Sequence, residues 1–128
     1  MPIPPSTRSF SVTIRHSGSA SLIDVKGSLT SFEAGGLTEA IRGLIAKKRN
    51  DVVLNLRGLD YLDSSGIGEL VRNYLTVIKS GGTMKVVGLS AKVEEILKIT
   101  QLYKVFPEFP DEETALNSFP ANSGNSSS

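Results

Sequence analysis

Leu62-Asp63-Ser64-Ser65-Gly66-Ile67-Gly68-Glu69-Leu70 joins two different periodicities, and the join decides the fold. Before it, Val52-Val53-Leu54-Asn55-Leu56 is a short apolar run rich in β-branched residues, which reads as a buried strand. After it, Ile67, Leu70, Val71, Tyr74, Leu75 and Ile78 recur at helical spacing. Two serines and a glycine therefore fall at a helix start. Backbone N–H groups there lack partners and the helix dipole is positive. Such a place suits an N-cap, and it suits a phosphate equally well.

Outward from this junction the two periods alternate. Phe10, Val12 and Ile14 alternate with polar residues and predict a strand with one buried face. Ser17-Gly18 marks a turn, and Ala20 to Val25 reads as a second strand, making a hairpin. Gly27 is expected to end that strand. Leu37, Ala40, Ile41, Leu44 and Ile45 trace a helical stripe that Lys47, Lys48 and Arg49 close. The helix after the serines stops near Ser80-Gly81-Gly82. Met84 to Val87 reads as a buried strand, and Ser90 as the cap of a helix through Val93, Ile96 and Leu97. A short edge strand is expected around Val105-Phe106, bracketed by Pro107 and Pro110. Asp111-Glu112-Glu113 opens a last short helix.

The order is β-β-α-β-α-β-α-(β)-α. It predicts an α/β fold, a mixed sheet of four to five strands packed with about four helices. Functional loops in such sheets lie beyond the carboxyl ends of the parallel strands, where the Asp63-Ser64 loop falls. One domain is expected over residues 9–119. A flexible N-terminus is expected over 1–8, where Pro2, Pro4 and Pro5 crowd, and a disordered polar tail over 120–128.

Composition narrows the function. The chain has 128 residues, a formal net charge of +1 and 21% charged residues, with no basic excess of the kind nucleic-acid binding needs. It has no cysteine, so disulfides and thiolate metal sites are excluded. No apolar run reaches the roughly 18–20 residues that span a bilayer. Met1 to Thr7 lacks the pattern of a secretory signal. A soluble, cytoplasmic protein without a membrane segment is expected.

Catalytic readings find little support. Neither Ser64 nor Ser65 sits in Gly-x-Ser-x-Gly, and His16 is the only histidine, placed in or at the end of the first strand. No P-loop occurs, and Gly66-Ile67-Gly68 is a fragment of a dinucleotide fingerprint. Asp60, Asp63 and Glu69 are scattered acids, and no cluster has metal-ligand spacing. No enzyme activity, cofactor or metal is expected. What remains is a serine that is acted upon, beside the plainer reading in which Asp63 or Ser64 is only the helix cap. Ser64 has no Glu or Gln three residues on, so the reciprocal capping box is missing. Gly66 and Gly68 each cost about 1 kcal/mol against Ala in a helix. Such small residues would keep the surface open to a partner's backbone.

Val53 to Gly68, read through Arg57-Gly58-Leu59-Asp60-Tyr61-Leu62-Asp63-Ser64-Ser65-Gly66, resembles the signature of bacterial anti-sigma-factor antagonists. These are stand-alone proteins of the STAS domain family, which also includes a domain of sulphate transporters. The resemblance runs from about Ser9 to Leu116. It takes in Gly27-Ser28-Leu29-Thr30 and Gly81-Gly82-Thr83-Met84-Lys85-Val86-Val87. It implies a single STAS-like domain and a partner switch. The unmodified antagonist binds an anti-sigma factor that is also a serine kinase, and so releases a sigma factor. The kinase phosphorylates the first serine after the aspartate, Ser64 here, and a phosphatase resets it. Asp63, Ser65, Gly66, Ile67, Gly68 and Thr30 would join Ser64 in the partner-binding surface. A non-switching scaffold or sensor module is the alternative within the family. Two positions depart from the pattern. Thr30 stands where relatives often carry an aspartate. Glu69 stands where they are apolar or small, and is expected on a solvated helix face, with contact to a basic partner patch the other reading.

Overall fold

The computed structural model describes residues 10–30, 35–101, 104, 106 and 108–119. The expected flexible N-terminus and polar tail lie outside these residues. Strands β1 (Ser11–Ser17) and β2 (Ala20–Leu29) form the antiparallel hairpin the sequence predicts. Helix α1 (Gly36–Ala46) leads to β3 (Asp51–Asn55), which pairs parallel to β2. Strand β4 (Leu59–Leu62) leads into α2 (Ser64–Lys79), then β5 (Thr83–Val87) and α3 (Ala91–Ile99). A two-residue strand β6 (Glu108–Phe109) and α4 (Glu112–Asn117) close the described fold. The main path of the sheet runs β1-β2-β3-β5-β6, with β4 paired to β2 off that path. The α/β expectation holds; among the described residues there are six strands, against the four to five expected, and four helices.

Strand alternation sorts the side chains onto two faces. On the front, Ile23, Val25, Val52, Leu54, Met84 and Val86 meet Leu37, Ile41 and Leu44 of α1, Leu70 and Val77 of α2, and Val93 and Leu97 of α3. On the back, Leu22, Val53 and Val87 meet Ala115 of α4, with Phe109, Leu116 and Phe119 around them. Arg49 lies just past α1 and ties the hairpin down: it donates to the carbonyls of Gly18 and Ala20 and to Ser21 Oγ.

Three local expectations are corrected. Gly27 does not end β2. Its φ of +93°, a left-handed value that glycine adopts at no steric cost, makes a bulge. From Gly27 on, β2 exchanges β3 for β4 as its parallel neighbour, pairing Gly27 with Leu59, Ser28 with Tyr61 and Leu29 with Leu62. An edge strand forms at Glu108–Phe109, paired to Val86 and Val87, and Phe106 is not part of it. Phe106 instead turns into the core, edge-on to Tyr74 with ring centroids 5.4 Å apart; Val105 lies outside the described residues. The alternation of Phe10, Val12 and Ile14 predicted a buried face on β1. Phe10 and Val12 are half-buried against the core, but Ile14, further along the edge strand β1, is exposed.

Candidate functional site

The end of β2 builds the site. The Leu29 carbonyl accepts a hydrogen bond from Asp63 N–H at 3.3 Å, and the Leu29–Leu62 pairing brings Thr30 alongside Asp63. Helix α2 starts directly against that carbonyl. A Cβ added at Gly66 would lie 2.1 Å from Leu29 O, so only glycine allows the approach. Gly66 is thus buried against its own chain, not held open for a partner. Gly68 answers better to that expectation. It is half-buried, and an added Cβ would meet only the flexible end of Arg72, at 3.2 Å.

Of the two candidate caps, Asp63 takes the role. Its backbone is extended and its Oδ1 accepts from Gly66 N–H at 2.9 Å. Ser64 becomes the first helical residue. Ser64 and Ser65 are both exposed, and among the described residues no side-chain hydrogen bond occupies the Ser64 hydroxyl. Ile67 is half-buried and packs on the front core. The structure therefore brings together Thr30, Asp63, Ser64, Ser65 and Gly68 at one edge, while Gly66 and Ile67 support them from beneath.

Other sequence candidates lie elsewhere. His16 pairs in register with Ser21, and its Nδ1 is 3.0 Å from Ser21 Oγ. That is the far end of β2 from Leu29, about 25 Å away along the strand. His16 and Ser64 do not meet. Glu69 is on neither a solvated face nor a partner-facing one. It is 1% exposed and its Oε2 accepts from Gly35 N–H, Thr38 N–H and Thr38 Oγ1–H at 3.0, 3.1 and 3.0 Å. The uncapped start of α1 supplies donors that make its burial possible. Asp60 is exposed on β4.

Two residues were missed by reading the sequence. Tyr61 is 42% exposed three positions before Ser64, and the Lys92 ammonium of α3 lies 5.7 Å from its ring centroid. Neither gave a sequence signal: Tyr61 stands in a strand without alternation, and Lys92 comes near only through the fold. Among the described residues, no group of three or more His, Cys, Asp or Glu is placed to hold a metal ion. No helix among them is long and apolar enough to cross a membrane.

Perturbed acid–base groups gather on the back face, away from Ser64. Arg15 donates to both oxygens of Asp24 and to Glu112, which raise its pKa above the usual arginine range. The hydrogen bonds from Arg15 hold Glu112 below the ordinary carboxylate range, aided by Asn55 and opposed by burial. Burial pushes the Lys85 ammonium down.

A model of the STAS domain matches residues 11–115. The chain belongs to the STAS domain family, which includes the anti-sigma factor antagonists. It is 34% identical over 65 residues to the anti-sigma F factor antagonist of Paenibacillus polymyxa, a stretch covering 51% of this chain and 56% of that protein. The match thus spans little more than half the length of this relative. It is 30% identical over 80 residues to the anti-sigma-B factor antagonist of Bacillus subtilis (strain 168), covering 62% of this chain and 72% of that one. Its fold is similar to the crystal structure of an anti-sigma factor antagonist from Mycobacterium paratuberculosis. There the TM-score is 0.76 at 25% identity, over 90% of this chain and 96% of that one.

Proposed function

We propose that this STAS domain protein is an anti-sigma factor antagonist switched by phosphorylation at Ser64. Unmodified, it docks through Thr30 and the Asp63–Gly68 edge onto an anti-sigma factor that is also a serine kinase, and a sigma factor is freed. The kinase transfers a phosphoryl group from ATP to Ser64 Oγ, and the modified protein lets go. A phosphatase resets it. The exchange takes place in the cytoplasm, and the protein itself is acted upon rather than catalytic.

The observation that carries this reading is the division of labour between Asp63 and Ser64. Asp63 supplies the cap, so the exposed Ser64 hydroxyl is spare. Phosphate would add about −1.5 to −2 charge there, at the positive end of α2, where the fold tolerates it. Inside a packed interface beside Asp63 the same charge meets repulsion and loses hydration. A coupling of about 3 kcal/mol lowers affinity about a hundredfold. The switch then acts by blocking a surface, with no change to the core.

Site-resolved mass spectrometry after incubation with ATP and a host lysate, beside a Ser64→Ala control, tests the acceptor. Phosphate on Ser64 that is absent from the control is the expected result. An unmodified Ser64 in a lysate with active kinases of this type would turn the reading to a non-switching scaffold. Backbone chemical shifts of the phosphorylated protein test the blocking mechanism: large changes far from residues 60–72 would count against it.

A further inference from the structure

Helix α2 turns an apolar stripe away from the core. Successive residues of a helix are set about 100° apart, so Gly68, Val71, Leu75 and Ile78 lie within about 40° of Ser64 around the axis. The buried residues of the helix, Gly66, Glu69, Leu70, Asn73 and Val77, occupy the opposite side. Leu75 and Ile78 follow the apolar period of α2 yet do not reach the core: they are 49% and 42% exposed. Val71, between them and Gly68, is half-buried.

A single exposed leucine needs no explanation. Here two large apolar side chains are neighbours at i and i+3, on the line that runs back to the exposed Ser64. Gly68 lies on that line and keeps it low, since an added Cβ would touch only the flexible end of Arg72. The stripe thus rises from small residues at Ser64 and Gly68 to bulky ones at Leu75 and Ile78. Its ends, Ser64 and Ile78, are about 21 Å apart along the axis. A stable interface takes about 800 Å² from each partner, a patch roughly 30 Å across, so one partner can span the whole stripe.

The charges of the helix say what that partner presents. Glu69 is the only acid in α2 and is buried. The charges α2 exposes are those of Arg72 and Lys79, both cationic, along one side of the stripe. An apolar surface rimmed by carboxylates complements this face. A second copy docked α2 to α2 would set cations against cations.

An enzyme that phosphorylates Ser64 Oγ has to stand over the first turn of α2, and the stripe continues from there. We infer that the exposed face of α2 is where the anti-sigma factor kinase docks, with Leu75 and Ile78 as anchors. The kinase active site meets Ser64, and an apolar, acid-rimmed surface of the same protein covers Leu75 and Ile78. The inference rests on the phosphorylation reading above and adds to it the residues that select the partner.

A full-length Leu75→Gln/Ile78→Gln protein tests it, with the kinase purified as the wild-type protein's Ser64-phosphorylating partner as probe. Glutamine suits a helix and removes the apolar contact. The KM for the protein substrate should rise about tenfold at unchanged kcat, because the anchors hold ground state and transition state alike. Ile99→Gln, at a residue 74% exposed on α3, is the control and should leave KM unchanged. An unchanged KM in the double variant would overturn the inference, and so would an equal rise in the control. Other occupants of the face have their own signatures. A wild-type dimer in sedimentation that the double substitution splits would give the face to a second copy. A denaturant midpoint that falls in the double variant and not in the control would give it to another segment of this chain. Either result would overturn the kinase as occupant. A wild-type protein that is never phosphorylated would bring down the phosphorylation reading and the docking with it, whereas phosphorylation with an unchanged KM strikes the docking alone. If the double variant does not fold, Leu75→Gln and Ile78→Gln singly carry the same comparison.

Discussion

On the front of the sheet three helices close over a continuous apolar layer; on the back one short helix, α4, covers Leu22, Val53 and Val87. The front is held by area removed from water; on the back a smaller apolar cluster is flanked by ion pairs and hydrogen bonds. Arg15 grips Asp24 and Glu112, and Asn55 Nδ2 donates to the same Glu112 oxygen at 2.6 Å. Lys85 Nζ donates to Ser118 Oγ at 2.6 Å and sits 4.2 Å from the Phe119 ring centroid. Apolar burial is indifferent to pH, whereas the contacts of Glu112 require its ionised form. The Ser64 edge is built on the front helix α2, whose Leu70 and Val77 are buried in that layer.

Truncating each side measures this contrast directly. Leu70→Ala, at a residue 2% exposed on the front, should cost about 3–4 kcal/mol in denaturant titration. Leu116→Ala on the back, half-buried, should cost about 1 kcal/mol. Equal losses would mean the two faces share one core.

Next in size is the glycine pair of α2. Gly66→Ala forces a methyl group onto the Leu29 carbonyl and should destabilise by about 2–3 kcal/mol. Gly68→Ala meets only Arg72 Nη1 and gains helix propensity, so it should be neutral or stabilising by up to about 1 kcal/mol. If both proved neutral, α2 would not need its close approach to β2.

The pH dependence has a definite sign. Glu112 is held below the ordinary glutamate range, chiefly by Arg15. Its contribution is complete above the ordinary glutamate pKa of about 4.3 and fades as pH falls through the lower folded value. Asp111 is depressed likewise by the Thr114 amide, so α4 loses a second contact in the same acid window. Amide exchange at Ala115 should therefore accelerate on acidification before exchange at Val77 does. Glu112→Gln should flatten most of that response, leaving the part due to Asp111. Simultaneous acceleration on both faces would erase the contrast.

The smallest effect belongs to the exposed Glu94–Lys98 pair, 3.5 Å apart on α3. Lys98→Ala should change stability by no more than about 0.5 kcal/mol.

The elements legible in the sequence were those whose signals are local. The hairpin turn, the helical stripes, the Ser90 cap and the short helix that opens at Asp111-Glu112-Glu113 all stand where periodicity and helix-end chemistry put them. Strand β4 was not legible. Leu59-Asp60-Tyr61-Leu62 has no alternation, and it is a strand only because Gly27 to Leu29 pair with it. Phe106 misled in the same way, its apolar character serving the core rather than an edge. At the site, the serine and its motif were readable, but the choice between Asp63 and Ser64 as cap needed the backbone geometry. Glu69 was misread because acids are seldom fully buried. Its shared face with Asn73 and Val77 was the available clue, and the donors that permit burial come from a distant helix.

Because Asp63 carries the cap, folding and the switch proposed above would draw on different letters of one short motif. In a library of single substitutions scored once for cellular abundance and once for signalling output, Ser64 would tolerate change by the first measure and not by the second. Gly66, two positions on, would fail both. Under that proposal, drift at Ser64 would be invisible to quality control in the cell, and only selection on the signal itself would keep that serine in place.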